Sequence, residues 1–90
     1  MTDKLQLAIN DGRKASELEN NDIFQSAFAT FELQCFDLWK KTTDGKERAR
    51  LWQAINTAAR VKDIIGLIAA NGRVAEKELE ILLARQERAA

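Results

Sequence analysis

Apolar residues recur at helical spacing along most of the chain, and no proline interrupts them. Between about Asp22 and Lys41, five of them follow at steps of 4, 3, 4 and 3, the spacing of a helix with one apolar face. They are Phe24, Phe28, Phe31, Cys35 and Leu38. A longer pattern follows Thr42-Thr43-Asp44 and predicts a helix from Gly45 to Ala70. Because the break is short, we expect these two helices to form an antiparallel hairpin.

Two shorter helices are predicted on either side of this hairpin. The first runs from about Asp3 to Glu19, and Gly12 weakens its middle. Asn20-Asn21-Asp22 is a run of cap-forming residues, so a break is expected there. Asn71-Gly72 is typical of a helix C-terminus, which places a last helix from Val74 to about Arg88.

The start of the third helix has its own local signal. Asp44 is followed three residues later by Glu47, the spacing of a capping box. With no internal repeat apparent, residues 1–90 are interpreted as a single helical domain of the all-α class, a small bundle of a hairpin and two flanking helices. The third helix is apolar on several sides, more than its neighbours can cover, so we expect a homo-oligomer.

Composition narrows the classes of function. Apolar residues make up 46% of the chain, and 14 basic residues balance 14 acidic ones, which argues against a general binder of polyanions. Basic residues nevertheless gather near the hairpin tip, where Lys46, Arg48 and Arg50 lie in the first turns of the third helix. A solvated end is the favoured interpretation, and contact with nucleic acid or with an acidic partner is the alternative.

The residue types exclude most catalytic and metal chemistry. The chain has no His and no Tyr, so the usual pairs of nucleophile and base cannot be built, and one thiol cannot make a zinc site. We therefore predict no enzyme activity, no catalytic residue, no cofactor and no metal. The single cysteine, Cys35, lies in an apolar stripe and is expected to be a packed, reduced thiol in a cytosolic setting.

Aromatic residues near the break are the candidates for binding. Trp39 and Trp52 flank it, and tryptophans so placed are more often core than surface. If exposed, they would be anchors of an interface, as would Phe36, which lies off the apolar seam. We therefore assign Phe36, Trp39 and Trp52 as the candidate interface residues.

A resemblance bears on function. Leu38-Trp39, Thr42-Thr43-Asp44, Glu47 to Trp52 and Asn71-Gly72-Arg73 stand in an order that resembles small uncharacterised helical proteins of tailed bacteriophages and prophages, encoded near head and packaging genes. The likeness covers about two thirds of the chain, and Glu47-Arg48 stands where those proteins have Arg followed by Glu. It implies a viral origin and a role in the virion or in capsid assembly.

The leading hypothesis is thus a non-enzymatic phage structural or virion-assembly protein. It would bind itself and a larger virion or assembly component through helix faces, in the cytoplasm of a bacterial host and in the virion, without contact to a membrane. The alternative is a nucleic-acid-associated packaging accessory or regulator that uses the basic tip. A helix-turn-helix about Asn71-Gly72 is a weaker version, because the would-be recognition helix opens with Glu76 and Glu78.

Overall fold

The structure is a computed structural model that describes residues 2–89, and these residues form three α-helices and no strand. Helix α1 spans Thr2–Glu19, α2 spans Asp22–Lys41 and α3 spans Gly45–Ala89. At a rise of 1.5 Å per residue, the 45 residues of α3 extend over about 67 Å. The longest dimension of the molecule is 71 Å, so α3 runs its whole length. The all-α class is confirmed.

The break between α1 and α2 is set by local capping. The side-chain oxygen of Asn21 accepts a hydrogen bond of 2.9 Å from the backbone N–H of Phe24, one of the groups left free at a helix start. At the other end of α2, the N–H of Thr42 donates to the carbonyl of Leu38. The predicted break at Asn20-Asn21-Asp22 and the predicted bounds of α2 are both confirmed.

The break between α2 and α3 is capped differently from the expected box. Asp44 Oδ1 accepts from the N–H of Lys46 at 3.1 Å, which is the helix cap. The N–H of Asp44 donates to the hydroxyl of Thr42 at 3.2 Å. That is the bond which the capping box assigned to Glu47, so the threonine before the cap takes the role of the glutamate.

The predicted break at Asn71-Gly72 is wrong. Helix α3 continues through both residues, and no described residue has a positive φ, so Gly72 is not a left-handed stop. The separate last helix from Val74 to Arg88 is therefore the second half of α3, and the chain has three helices over residues 2–89 in place of four. A helix-turn-helix centred on Asn71-Gly72 is excluded by the same continuity.

Gly72 is explained by a close approach of two backbones. A Cβ atom on Gly72 would lie 2.6 Å from the Cα of Gly12 and 2.9 Å from the carbonyl oxygen of Ala8. A Cβ on Gly12 would in turn lie 2.6 Å from the Cα of Gly72. No larger residue fits at either position, because real non-bonded carbon atoms stay near 3.5 Å or more. Each glycine is thus the point where α1 and α3 touch.

The same short sequence surrounds both glycines. Gly12-Arg13-Lys14-Ala15 on α1 matches Gly72-Arg73-Val74-Ala75 on α3 at three of its four positions. Both alanines are buried, as is Ala69 one turn before Gly72. Because the two helices run antiparallel, the two motifs meet like the halves of a symmetric crossing, an arrangement that small side chains permit.

Helices α1 and α2 lie end to end along α3 and contact each other little. Arg13 of α1 pairs with Glu76 of α3 at 3.3 Å, whereas Phe28 of α2 lies under Lys62 at 5.8 Å. The molecule therefore consists of two layers, α3 in one and the two shorter helices in the other. Its dimensions are 71 × 24 × 14 Å, so it is a flat slab one helix thick.

The slab is extended, unlike the compact bundle expected from the sequence. Its radius of gyration is 19.8 Å, whereas a compact domain of this length has about 12 Å. Buried residues form only a narrow line between the layers, and no large side chain within residues 2–89 is fully buried. The buried apolar residues are Ile9, Ala15, Cys35, Leu51, Ala69 and Ala75. Both broad faces are left uncovered.

Candidate interaction surfaces

The residues proposed for binding lie near the tip, where α2 meets the start of α3. Cys35 and Leu51 are buried and mark the line along which these helices face each other. Phe36 and Trp52 each follow one of them, so each is turned about 100° from that line. In an antiparallel pair, the same rotation brings both side chains to the same side.

Phe36 and Trp52 are open to solvent, with 41% and 54% of their surface exposed. Trp52 is thus not the core residue that tryptophans flanking a break more often are. The two rings form an apolar surface on one broad face of the slab, near the tip. We call Phe36, Trp39 and Trp52 the tip patch.

Trp39, the third member of the tip patch, is half-buried beneath an arginine. The guanidinium carbon of Arg48 lies 4.1 Å from the centre of its ring, the distance of a cation–π contact. Nε of Arg48 also donates to the carbonyl of Thr42 at 3.1 Å. Arg48 therefore ties the end of α2 to the start of α3, a role that the sequence did not suggest.

The three basic residues of the tip therefore differ in their surroundings. Arg48 is engaged within the chain, whereas Lys46 and Arg50 are exposed and carry charge at the end of the slab. The three residues do not form one free cluster for phosphate contacts. Binding of nucleic acid at this end stays a prediction, carried mainly by the two exposed cations.

The apolar seam predicted for α2 is covered only in part. Phe24 and Phe28 pack on each other with ring centres 4.8 Å apart, and Cys35 is buried as a free thiol, as predicted. Phe31 and Leu38 belong to the same seam but are 40% and 55% exposed. One flank of the seam therefore faces α3 and the other faces solvent.

A second apolar line on α3 was missed from the sequence. Ile64, Leu67, Val74 and Ile81 are each between 52% and 59% exposed. The first three lie on the edge of α3 turned away from α1, whereas Ile81 borders Leu5 of α1. Their heptad spacing runs across Asn71, where the sequence was taken to end a helix. The spacing was thus available as a signal but was hidden by the assumed break.

Polar chemistry offers no competing site in the part of the chain that the structure describes. No polar or charged residue is buried there, and no three carboxylate or thiol groups come together as metal ligands would. None of the three helices over residues 2–89 is long and apolar enough to cross a membrane. The exposed apolar residues are therefore the distinguishing surface feature.

Comparison of the chain with protein-family models, with curated proteins and with solved structures gave no significant match.

Proposed function

We propose that the chain is a non-enzymatic structural or assembly protein of a phage virion, which acts by associating with itself and with a larger virion component. The proposal rests on the apolar side chains that the slab leaves exposed to solvent. Apolar residues are exposed on both broad faces, and no large side chain among residues 2–89 is fully buried. Exposed apolar surface of this extent supports cover by other molecules.

The exposed surface area of the chain is larger than that of a compact monomer of the same mass. The described structure exposes 7219 Å², whereas a compact monomer of 10.2 kDa exposes about 5,300 Å². The difference, roughly 1,900 Å², is large beside the ~800 Å² that each partner buries in a standard protein interface. Fifteen large apolar side chains are exposed, more than isolated surface residues would account for. Self-association is the simplest way to cover them.

The tip patch supports a second contact, with a different partner. Phe36 and Trp52 are exposed aromatic rings on one face, and Trp39 is held beneath Arg48 beside them. Rigid aromatic side chains of this kind are frequent anchors of protein interfaces. The resemblance to small phage proteins encoded near head and packaging genes supports a virion or assembly protein as that partner.

Light scattering coupled to size separation tests self-association directly. We expect a mass of more than one chain per particle at micromolar concentration. A single-chain mass at the highest soluble concentration contradicts the proposal, because the exposed apolar surface would then need no cover. The Phe36→Ala and Trp52→Ala double variant is the matched probe: it should keep the assembly state and lose incorporation into virions, measured by mass spectrometry of purified particles.

A further inference from the structure

The outer edge of α3 carries a regular seam. Six residues follow at steps of 3, 4, 3, 4 and 3, which is the repeat of a helix that packs on another helix. They are Ile64, Leu67, Asn71, Val74, Glu78 and Ile81. The residues of α3 that face α1, such as Ala69 and Gly72, lie on the other side of the helix, so the seam is open from Ile64 to Val74. Further along, Glu78 and Ile81 are exposed but border Lys4 and Leu5 of α1. We call these six residues the outer seam.

Charged residues on the outer seam and beside it are self-complementary. Consider a second α3 that runs antiparallel to the first along the outer seam, with the two-fold axis at the level of Ala69 along the helix. Arg60, nine residues before the axis, then lies opposite Glu78, nine residues after it. Asp63 and Lys77 flank the seam on the same side, six residues before and eight after the axis, so they come near each other with an offset of about 3 Å along the helix. The symmetry forms each of these pairs twice.

The apolar positions fit the same register. Ile64 and Val74 are each five residues from the axis, so each packs against the other's copy. Leu67 and Asn71 are each two residues from the axis, so each lies opposite the other's copy. Asn71 and Glu78 are the two polar members of the seam, and a polar residue at such a position fixes register at some expense of stability.

A parallel arrangement is disfavoured by the same charges. In a parallel pair in register, Glu78 would face its own copy, and Arg60 would face its own copy. Like charges at facing positions of a helix pair repel. The antiparallel register is thus selected by charge as well as by apolar spacing.

We infer that a second copy of this chain docks on the outer seam, with the two α3 helices antiparallel about Ala69 and with Arg60 paired to the partner's Glu78. This inference rests on the proposed self-association and specifies its surface and register. The segment of α3 from Arg60 to Ile81 is roughly 32 Å long, and the antiparallel arrangement places the two tip patches near opposite ends of the dimer.

Charge reversal with rescue tests the register. The Arg60→Glu and the Glu78→Arg variants each turn two attractive pairs into repulsive ones. We expect each to raise the dissociation constant of the dimer about ten-fold or more, as measured by analytical ultracentrifugation. The double variant restores both pairs with reversed polarity, so its constant should return to within about three-fold of the native value. Glu87→Arg, on the same helix beyond the seam, is the control and should leave the constant unchanged.

Cysteine cross-linking tests the direction of the helices in a Cys35→Ala background. A chain with both Arg60→Cys and Glu78→Cys should form a covalent dimer on oxidation. The Ile81→Cys chain should not, because position 81 and its copy would lie about 36 Å apart along the axis. A dimer linked through position 81, with none linked through positions 60 and 78, overturns the antiparallel register.

The outcomes separate this inference from the proposed function. If the native chain is a dimer and both charge-reversal variants keep the native constant, the register is wrong while self-association stands. If the native chain is monomeric at all concentrations, both fail together. Loss of the dimer in each single variant with recovery in the double variant supports the inference, provided that circular dichroism shows unchanged helix content.

Discussion

The two halves of α3 are packed by opposite means. The C-terminal half meets α1 through glycine and alanine, with Gly72 against Gly12 and their backbones in contact. The N-terminal half meets α2 through larger side chains, including Leu51 and the ring of Phe28. The first contact depends on shape at very short range, and the second on apolar area and on rings held under cations.

This difference shows how one helix can hold two partners that barely touch each other. A small-residue crossing gives close dispersion contacts between backbones but buries little side-chain area. An aromatic seam buries more area at greater spacing and tolerates partial exposure, as at Phe31. We therefore expect the α1 half to be sensitive to added volume and the α2 half to be sensitive to removed volume. Stability is to be compared at one protein concentration, since the proposed self-association would contribute to it.

The largest expected effect comes from adding volume at the crossing. Gly72→Leu places a branched side chain where a single Cβ would already lie 2.6 Å from Gly12. We expect a loss of about 3 kcal/mol or more in the free energy of unfolding, with α1 released first. Hydrogen exchange should rise in α1 and stay near native in α2. Equal increases in both helices would show that the two halves are one cooperative unit.

A second glycine of α3 provides the matched control. At Gly66, an added Cβ would meet only the far end of the Glu19 side chain, at 3.2 Å. Gly66→Ala should therefore stabilise the chain by about 0.5 to 1 kcal/mol, the usual gain in a helix interior. Gly72→Ala in the same helix should instead destabilise it. Thermal melts of the two variants that shift in the same direction would contradict the backbone contact.

Removing volume from the other half should have an intermediate effect. Leu51→Ala truncates a buried side chain between α2 and α3 and should cost about 2 kcal/mol. Both tryptophans lie in this half, so their fluorescence should follow its unfolding while circular dichroism follows all three helices. In this variant, the fluorescence transition should precede the dichroism transition. Coincident transitions would argue against separate halves.

The smallest effect concerns the clamp at the tip. Arg48→Ala removes the cation above Trp39 and the hydrogen bond to Thr42, and should cost about 1 kcal/mol. Arg48→Lys keeps the charge but loses the planar stack, so it should recover less than half of that loss. A lysine variant as stable as the native chain would show that charge alone, and not the stacked geometry, matters there.

The local features of the chain were predictable because they depend on neighbouring residues. Asn21 caps α2 and Asp44 caps α3 through side-chain oxygens that reach a backbone N–H two or three residues ahead. Both breaks and both ends of α2 were therefore found from the sequence. The burial of Cys35 followed from its place in the apolar seam.

Exposure at the candidate site was harder to predict. The apolar pattern identified Trp52 and Phe36 as unusual but did not show whether another helix covers them. The folded chain leaves both open because only one helix packs on each half of α3. Arg48 was assigned to a charged tip, and its contact with Trp39 could not be read from charge alone.

The sequence by itself determined the helical class, the two capped breaks and the surplus of apolar side chains, since these follow from hydrogen bonds and periodicity within a few turns. Only the tertiary structure decided that α3 continues through Gly72 and that the molecule is a slab with open faces. The physical reason is distance along the chain. Position 72 requires glycine because its backbone packs against Gly12, which lies sixty residues away in the sequence. The residues next to Gly72 in the sequence do not indicate that contact.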